Sequence, residues 1–238
     1  MITPEFRNEL DELRQRIEAV ESRVRNAALS AGRDPSSVTI VAVSKTFPRE
    51  LVDQVYALGL STFGENRVQE ARQKFGDELP ADMRINMIGH LQSNKVRQAL
   101  AIFDRVESVD RASLVEALER EAARIDTRLS VLMQVNIGRE AQKSGCSFEE
   151  APELARLIER SPHLRLDGLM GIAPLVDDPE LARPCFRDLR LLRDRLRNDE
   201  GIESELSVLS MGMSGDLEAA IAEGATHVRV GSAIFGRR

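Results

Sequence analysis

The sequence predicts an α/β fold: a single (β/α)8 barrel of the TIM type with an extra N-terminal helix. Three observations predict it. Short β-branched apolar runs alternate with amphipathic segments until eight strands are counted along 238 residues. That length is close to the usual size of one such barrel, and no Gly/Pro/Ser linker, fixed-period repeat or low-complexity tract divides it. An open doubly wound sheet would carry GxGxxG after its first strand, where this chain has Ser44-Lys45-Thr46-Phe47-Pro48. The expected organisation is one domain over residues 1–238, with residues 1–32 packed on the barrel.

The elements follow in order. Phe6, Leu10, Leu13, Ile17, Val20 and Val24 recur alternately four and three residues apart among charges, which predicts an amphipathic helix from about residue 4 to 31, ended by Gly32. Its heptads stop after about three, which favours packing on the barrel over a coiled coil and makes a monomer the expected state. Thr39-Ile40-Val41-Ala42-Val43-Ser44 reads as a strand buried on both faces, terminated by Pro48. A helix near 49–58 presents Leu51, Val52, Val55 and Leu58 on one face. Strands at 62–66, 84–90, 103–109, 129–137, 166–172, 205–209 and 227–230 alternate with helices near 67–75, 93–100, 111–124, 148–160, 179–198 and 215–223.

Composition narrows the function. Hydrophobic residues make up 42% and the net charge is −6, which argues against a general nucleic-acid binder. No apolar run approaches the length of a membrane span, and Met1–Phe6 has neither a basic nor an apolar leader region, so neither a membrane span nor a signal peptide is expected. Cys146 and Cys185 lie far apart without a CxxC or a nearby histidine, so no zinc site is expected and a reducing cytoplasm fits.

In a barrel the strand C-termini converge on one face. There the sequence gathers Lys45, Asn66, His90 with Gln92 and Asn94, Asn136, Met170 and Gly171, Ser210 to Gly215, and Arg229 with Gly231 and Ser232. Ser210-Met211-Gly212-Met213-Ser214-Gly215 leads into a helix that Ser214 can cap, and Gly231-Ser232 ends the next strand. Loops after strands seven and eight are a common phosphate site, although a plain strand-to-helix turn has the same composition. Asp216 would oppose a phosphate there unless it points away. A lysine facing a phosphate site suggests pyridoxal 5′-phosphate (PLP) held as a Schiff base on Lys45, against the alternative of a surface lysine. Arg229 could donate to the pyridine nitrogen and leave it unprotonated; the alternative is a structural salt bridge. His163 and His227 are expected away from the site. The arginines at 183, 187, 190, 193, 195 and 197 read as a solvated face.

These residues carry a resemblance. Val41-Ala42-Val43-Ser44-Lys45, Phe63-Gly64-Glu65-Asn66, Ile88-Gly89-His90-Leu91-Gln92-Ser93-Asn94-Lys95, and Leu209 to Ser214 with Val228-Arg229-Val230-Gly231 resemble the pyridoxal phosphate homeostasis proteins of the YggS/PROSC type, related to the N-terminal barrel of alanine racemase. Lys143 in Gln142-Lys143-Ser144-Gly145 fits the same pattern. The resemblance covers nearly the whole chain. It implies Lys45 as the Schiff-base lysine, phosphate binding by Ser210, Ser214, Gly231 and Ser232, and Arg229 at the pyridine nitrogen. It also implies Asn66 and His90 as cofactor-lining positions. Lys95 and Lys143 stay open between a role and a solvated loop position.

Two functions share such a site. One is a carrier that buffers PLP or delivers it to apo PLP-dependent enzymes in the cytoplasm. The other is an amino-acid racemase or related enzyme, which needs a base on each face of the substrate. The related racemases take a tyrosine from an additional C-terminal domain, whereas this sequence ends soon after strand eight and has a single tyrosine, Tyr56, on an outer helix. The missing second base favours the carrier, with His90 as the remaining alternative base. A phosphate-sugar enzyme with a Schiff-base lysine fits the barrel but not the motifs.

Overall fold

A computed structural model describes residues 4–76, 79–140, 142–198 and 202–236, with side chains from residue 8 onward; Phe6 therefore lies outside the described side chains. Eight parallel strands close into a barrel in sequence order: β1 (Thr39–Val43), β2 (Thr62–Glu65), β3 (Arg84–Met87), β4 (Arg105–Val109), β5 (Leu129–Val135), β6 (Leu164–Gly171), β7 (Val208–Met213) and β8 (His227–Val230). Closure comes from β1 on β8, with Thr39 opposite His227 and Ala42 opposite Val230. Around the barrel lie α2 (Arg49–Ala57), α3 (Val68–Phe75), α4 (Val96–Ala99), α5 (Ala112–Arg124), α6 (Ala151–Glu159), α7 (Arg183–Arg197) and α8 (Leu217–Ala222). A long α1 (Pro4–Ser30) precedes β1, and a one-turn α9 (Ser232–Phe235) follows β8.

The strand runs are apolar on both faces because each strand is covered by helices outside and by other strands inside. Most of the core lies between barrel and helices, and includes Phe63, Ile85, Leu114, Leu118 and Phe186. A separate small cluster of Leu132, Met170 and Val208, joined by Ile172, contributes apolar surface to the barrel interior. That interior also holds polar groups: Asn86, Glu107, Ser210 and Arg229 are all buried.

Leu13, Ile17, Val20, Val24 and Ala28 of α1 are buried against α8 and α9. Two arginines on this helix anchor it: Arg16 Nε donates to Ile234 O at 2.8 Å, and Arg23 donates to both Glu218 oxygens at 2.6 and 2.9 Å and to Ser214 O at 3.0 Å.

Several boundaries differ from expectation. The helix expected at 93–100 opens as a 3-10 turn, Ser93–Lys95, before α4. The third strand stops at Met87, because Gly89 turns so tightly on the second strand's end that a Cβ there would lie 2.3 Å from Asn66 O. The seventh strand starts later and runs further than expected: Ser210 pairs with His227 and Met213 with Arg229, so one extra residue bulges from β7. Gly212 makes the bulge possible at φ +89, and a Cβ there would meet Ala220 Cβ at 2.5 Å. The arginines of α7 do not form a merely solvated face. Arg183, Arg187 and Arg190 converge on the buried carboxylate of Glu223 at 2.8, 3.2 and 3.3 Å and fasten α7 to the end of α8.

Candidate functional site

Lys45 sits where β1 leaves the barrel. The turn Ser44–Phe47 is closed by Phe47 N–H donating to Ser44 O at 3.1 Å, with Thr46 at φ +67. A β-branched residue in that region is strained, and the strain persists only because the flanks are held. On one flank, the Ser44 hydroxyl donates to Glu65 Oε1 at 2.7 Å, while Lys74 Nζ donates to Ser44 O at 2.6 Å and to Glu65 Oε1 at 2.5 Å. On the other, the Phe47 ring stacks on Phe235 of α9 at 4.8 Å. The peptide before Lys45 is thus gripped from the helix layer. Strand alternation then gives Lys45 the inward direction of Val43.

Lys45 lines a cavity of about 520 Å3 at the barrel mouth, together with Val43, Phe47, Asn66, Ile88, Ile172, Met213, Ser214, Gly215, Arg229, Gly231, Ser232 and Gly236. Of the expected site residues the fold therefore brings together Lys45, Asn66, Ser214, Arg229, Gly231 and Ser232. Its described lining holds two cationic side chains, Lys45 and Arg229, and no carboxylate. Ile88, Ile172 and Phe47 supply the flat apolar walls. The first intrahelical bond of α9 is that of Ile234 N–H to Gly231 O at 3.0 Å. The N–H groups of Ser232 and Ala233 therefore precede the helix ladder and have no acceptor within it.

Arg229 is 4% exposed, with Nη1 donating to Ser210 Oγ and Nη2 to Gly171 O, each at 2.8 Å. Burial, the largest influence, lowers its pKa from the ordinary guanidinium range, against which the Glu107 and Asp216 carboxylates raise it. A guanidinium starts so far above neutrality that it stays charged.

Two expected residues lie elsewhere. Ser210 is a buried strand residue beneath the cavity; its hydroxyl accepts from Arg229 and donates to Glu107 Oε2 at 2.6 Å. The bulge that extends β7 carries it below the loop. His90 lines a neighbouring cleft of about 270 Å3 with Arg67, Gln69, Gln92 and Lys95, and its Nδ1 lies 3.8 Å from Asp110 Oδ2. Asn66 lines both cavities and separates them. Nor does Ser214 cap α8: Asp216 occupies the N-cap position, and its Oδ1 accepts from Met213 N–H at 2.5 Å. Burial, the largest influence, raises the Asp216 pKa above its usual 3.8. That back-turned hydrogen bond answers the electrostatic objection raised by its sequence position.

Lys143 and the residues expected away from the site fall outside the mouth cavity. Lys143 pairs with Glu140 at 2.5 Å in the loop after β5. The Tyr56 hydroxyl, on α2, donates to Asp82 Oδ1 at 2.5 Å, before the start of β3. His163 pairs with Glu119 at 2.8 Å. His227 begins β8 at the opposite end of the barrel, with Nε2 3.3 Å from Arg105 Nη1. Sequence reasoning missed Glu107, Glu65 and Lys74. The available signal for the two acids was a carboxylate inside a strand otherwise built for burial on both faces.

The cavity's shape and donors fit a phosphorylated aldehyde. A Cβ added at Gly231 would come no nearer than 3.5 Å to its closest neighbour, Val43, and one at Gly215 would meet nothing within 4 Å, so glycine leaves room on this wall. A primary amine faces those loops, hydroxyls and early N–H groups suit a phosphate, and the volume suits a small cofactor.

Residues 10–238 match the family model of the alanine racemase N-terminal domain. The chain is 43% identical to the pyridoxal phosphate homeostasis protein of Pseudomonas aeruginosa over 225 residues, covering 94% of this chain and 95% of that one. The structure of PipY from Synechococcus elongatus PCC7942 with PLP bound superposes with a TM-score of 0.79 at 34% identity, over 94% of this chain and all of that one. Alanine racemase from Corynebacterium glutamicum shares the fold at a TM-score of 0.69 and 17% identity, where the match covers 93% of this chain and 61% of the racemase chain.

Proposed function

Because the chain belongs to the pyridoxal phosphate homeostasis family within the alanine racemase N-terminal barrels, we propose that it binds PLP at the barrel mouth through Lys45 and buffers or delivers it. The observation that carries this reading is a cavity with two cations and no carboxylate among its described lining, in which a lysine faces glycine- and serine-bearing loops. In this reading residues 1–238 act as one cofactor-binding unit, and the N-terminal helix buttresses the loops of the site.

When bound, PLP supplies a reactive aldehyde and an electron-withdrawing ring. The Lys45 amine is the group to hold it covalently. Ser214, Gly231 and Ser232 are the groups to hold its phosphate, using hydroxyls and the early N–H groups of α9. Arg229 would present a donor to the ring nitrogen, where a donor-only group would leave that nitrogen unprotonated and the ring a weak electron sink. Asn66, Ile88 and Ile172 line the cavity and would hold the ring between them. The reading assigns no direct phosphate contact to Ser210 and no ring contact to His90.

A carrier rather than an enzyme is favoured by the lining itself. Besides Lys45, the described lining contains no Asp, Glu, His or Tyr that could act on the opposite face of a substrate. The Tyr56 hydroxyl is engaged by Asp82 outside the cavity. Two free cysteines, Cys146 and Cys185, suit a reducing cytoplasmic setting. Among the described residues no helix is long and apolar enough to cross a membrane.

Borohydride treatment of the PLP-loaded protein, followed by peptide mass mapping, tests the site. The expected result is cofactor mass on the peptide containing Lys45, lost in Lys45→Ala. Labelling at another lysine with Lys45 unmodified would overturn the assignment. Circular dichroism of single-enantiomer amino acids incubated with the loaded protein separates the functions: a constant signal supports the carrier, and steady racemisation refutes it.

A further inference from the structure

The barrel interior holds a hydrogen-bonded chain of which the binding reading uses only Arg229. Asn86 on β3 donates through Nδ2 to Glu107 Oε1 on β4 at 2.8 Å. The Ser210 hydroxyl on β7 donates to Glu107 Oε2 at 2.6 Å and accepts from Arg229 Nη1 on β8 at 2.8 Å. Arg229 Nη2 is fixed by Gly171 O on β6 at 2.8 Å. Glu107 and Ser210 have no exposed surface, and Asn86 is 3% exposed. A hydroxyl has one proton and Arg229 can only donate, so the Ser210 proton must point at Glu107. A buried carboxylate is costly unless hydrogen-bonded and charge-compensated, and here both oxygens are bonded and the nearest partner in the chain beyond Ser210 is a cation.

We propose that Glu107 is a positioning residue for the cofactor site: through Ser210 it fixes the plane of the Arg229 guanidinium and balances its charge beneath the cavity. This inference rests on the PLP reading above. It assigns Ser210 the part of a relay, in place of the phosphate ligand its sequence position suggested. Without Glu107, Arg229 would lose a compensating carboxylate, and Ser210, to which it donates, would lose the acceptor that fixes its proton. The other charged and titratable groups facing this chain are His227 and Arg105 at the barrel floor, Asp167 beside them, Asp216 near Arg229, and Lys45 across the cavity.

The test compares wild type, Glu107→Gln and Ser210→Ala, each loaded with PLP, by cofactor affinity and by the pH dependence of the bound cofactor's visible absorbance. Glu107→Gln keeps the shape and removes the charge. It is expected to move the absorbance titration about one pH unit lower, since loss of a nearby negative charge disfavours protonation of the bound cofactor. Affinity should fall about tenfold. Ser210→Ala removes only the bridge and should shift the same titration in the same direction by less. If Glu107→Gln does not fold, the Ser210→Ala titration decides alone. Wild-type titration and affinity in the folded variants would refute the positioning role. A wild-type protein that takes up no PLP would instead refute the underlying site reading, so the two failures are distinct.

Discussion

The two ends of this barrel enclose cavities of about the same volume, about 520 Å3 each, and treat charge in opposite ways. At the floor, Arg105 is spent on its neighbours: Nε donates to Ser130 Oγ at 2.8 Å, Nη1 approaches His227, and Nη2 donates to Asp167 at 3.2 Å. Arg165 and Ser130 also converge on Asp167, at 2.6 Å each. Cations and carboxylates there pair with one another, which is how a fold stabilises itself. At the mouth the described lining holds Lys45 and Arg229, and the neighbouring Asp216 is turned back onto Met213 N–H. Equal volume therefore does not mean equal function: at the floor Arg105 and Arg165 are paired with Asp167, which contributes to stability, whereas the described lining of the mouth brings two cations together with no carboxylate and suits an anion.

The sharpest way to separate the two ends is acid. His227 Nε2 accepts from Arg105, which leaves the ring neutral, and burial, the largest influence, lowers its pKa from 6.5 to about 4. Below pH 6.5 the unfolded chain takes up a proton that the folded chain refuses. This contribution is complete above pH 6.5 and is lost as pH falls through about 4, an effect of about 3 kcal/mol. Urea denaturation of wild type and His227→Asn over this range checks it: the variant should lose less stability on acidification. Parallel curves would dissociate His227 from the floor's role.

At the mouth, a carboxylate placed among the cations should abolish the contrast. Ser232→Asp puts a negative charge beside the proposed phosphate loop and is expected to weaken PLP binding about a hundredfold, roughly 2.7 kcal/mol, with little change in unfolding free energy. Equilibrium titration with PLP and a parallel denaturation curve measure both, and unchanged affinity would remove Ser232 from the phosphate site. The smallest expected effect is at the buttress. Arg23→Ala removes a partly exposed pair and a hydrogen bond to Ser214 O, worth about 1 kcal/mol, and should weaken PLP binding by a few fold. Full retention of affinity would confine α1 to packing.

Much of this was legible in the sequence. The eight strands announced themselves because strands buried on both faces read as unbroken apolar runs. Lys45 and Arg229 were visible as charged residues next to or within such runs. The end of β7 was not legible. Ser210-Met211-Gly212-Met213-Ser214 has the composition of a loop, and only the register across to β8 reveals that Gly212 serves a bulge and Ser210 a buried relay. Glu107 was missed although Arg105–Val109 carries the same kind of signal as Arg229, an ionisable residue in a buried strand. Its meaning depends on Asn86 and Ser210, 21 and 103 residues away, which a linear reading does not bring together. The clamp on Glu223 was hidden likewise, since a row of arginines on one helix looks solvated until its partner on α8 is known.

The anchoring of α1 also bears on how the molecule is made. Arg16 bonds a carbonyl 218 residues further along and Arg23 a carboxylate 195 residues further along, so α1 finds its docking surface among elements synthesised much later than itself. Contacts of such sequence separation form late. The loops after β7 and β8 and the helix that braces them should therefore become ordered in one closing step. During synthesis the chain would pass from a form without a cofactor pocket to one that holds it whole, and a half-made protein would have little means of trapping a reactive aldehyde.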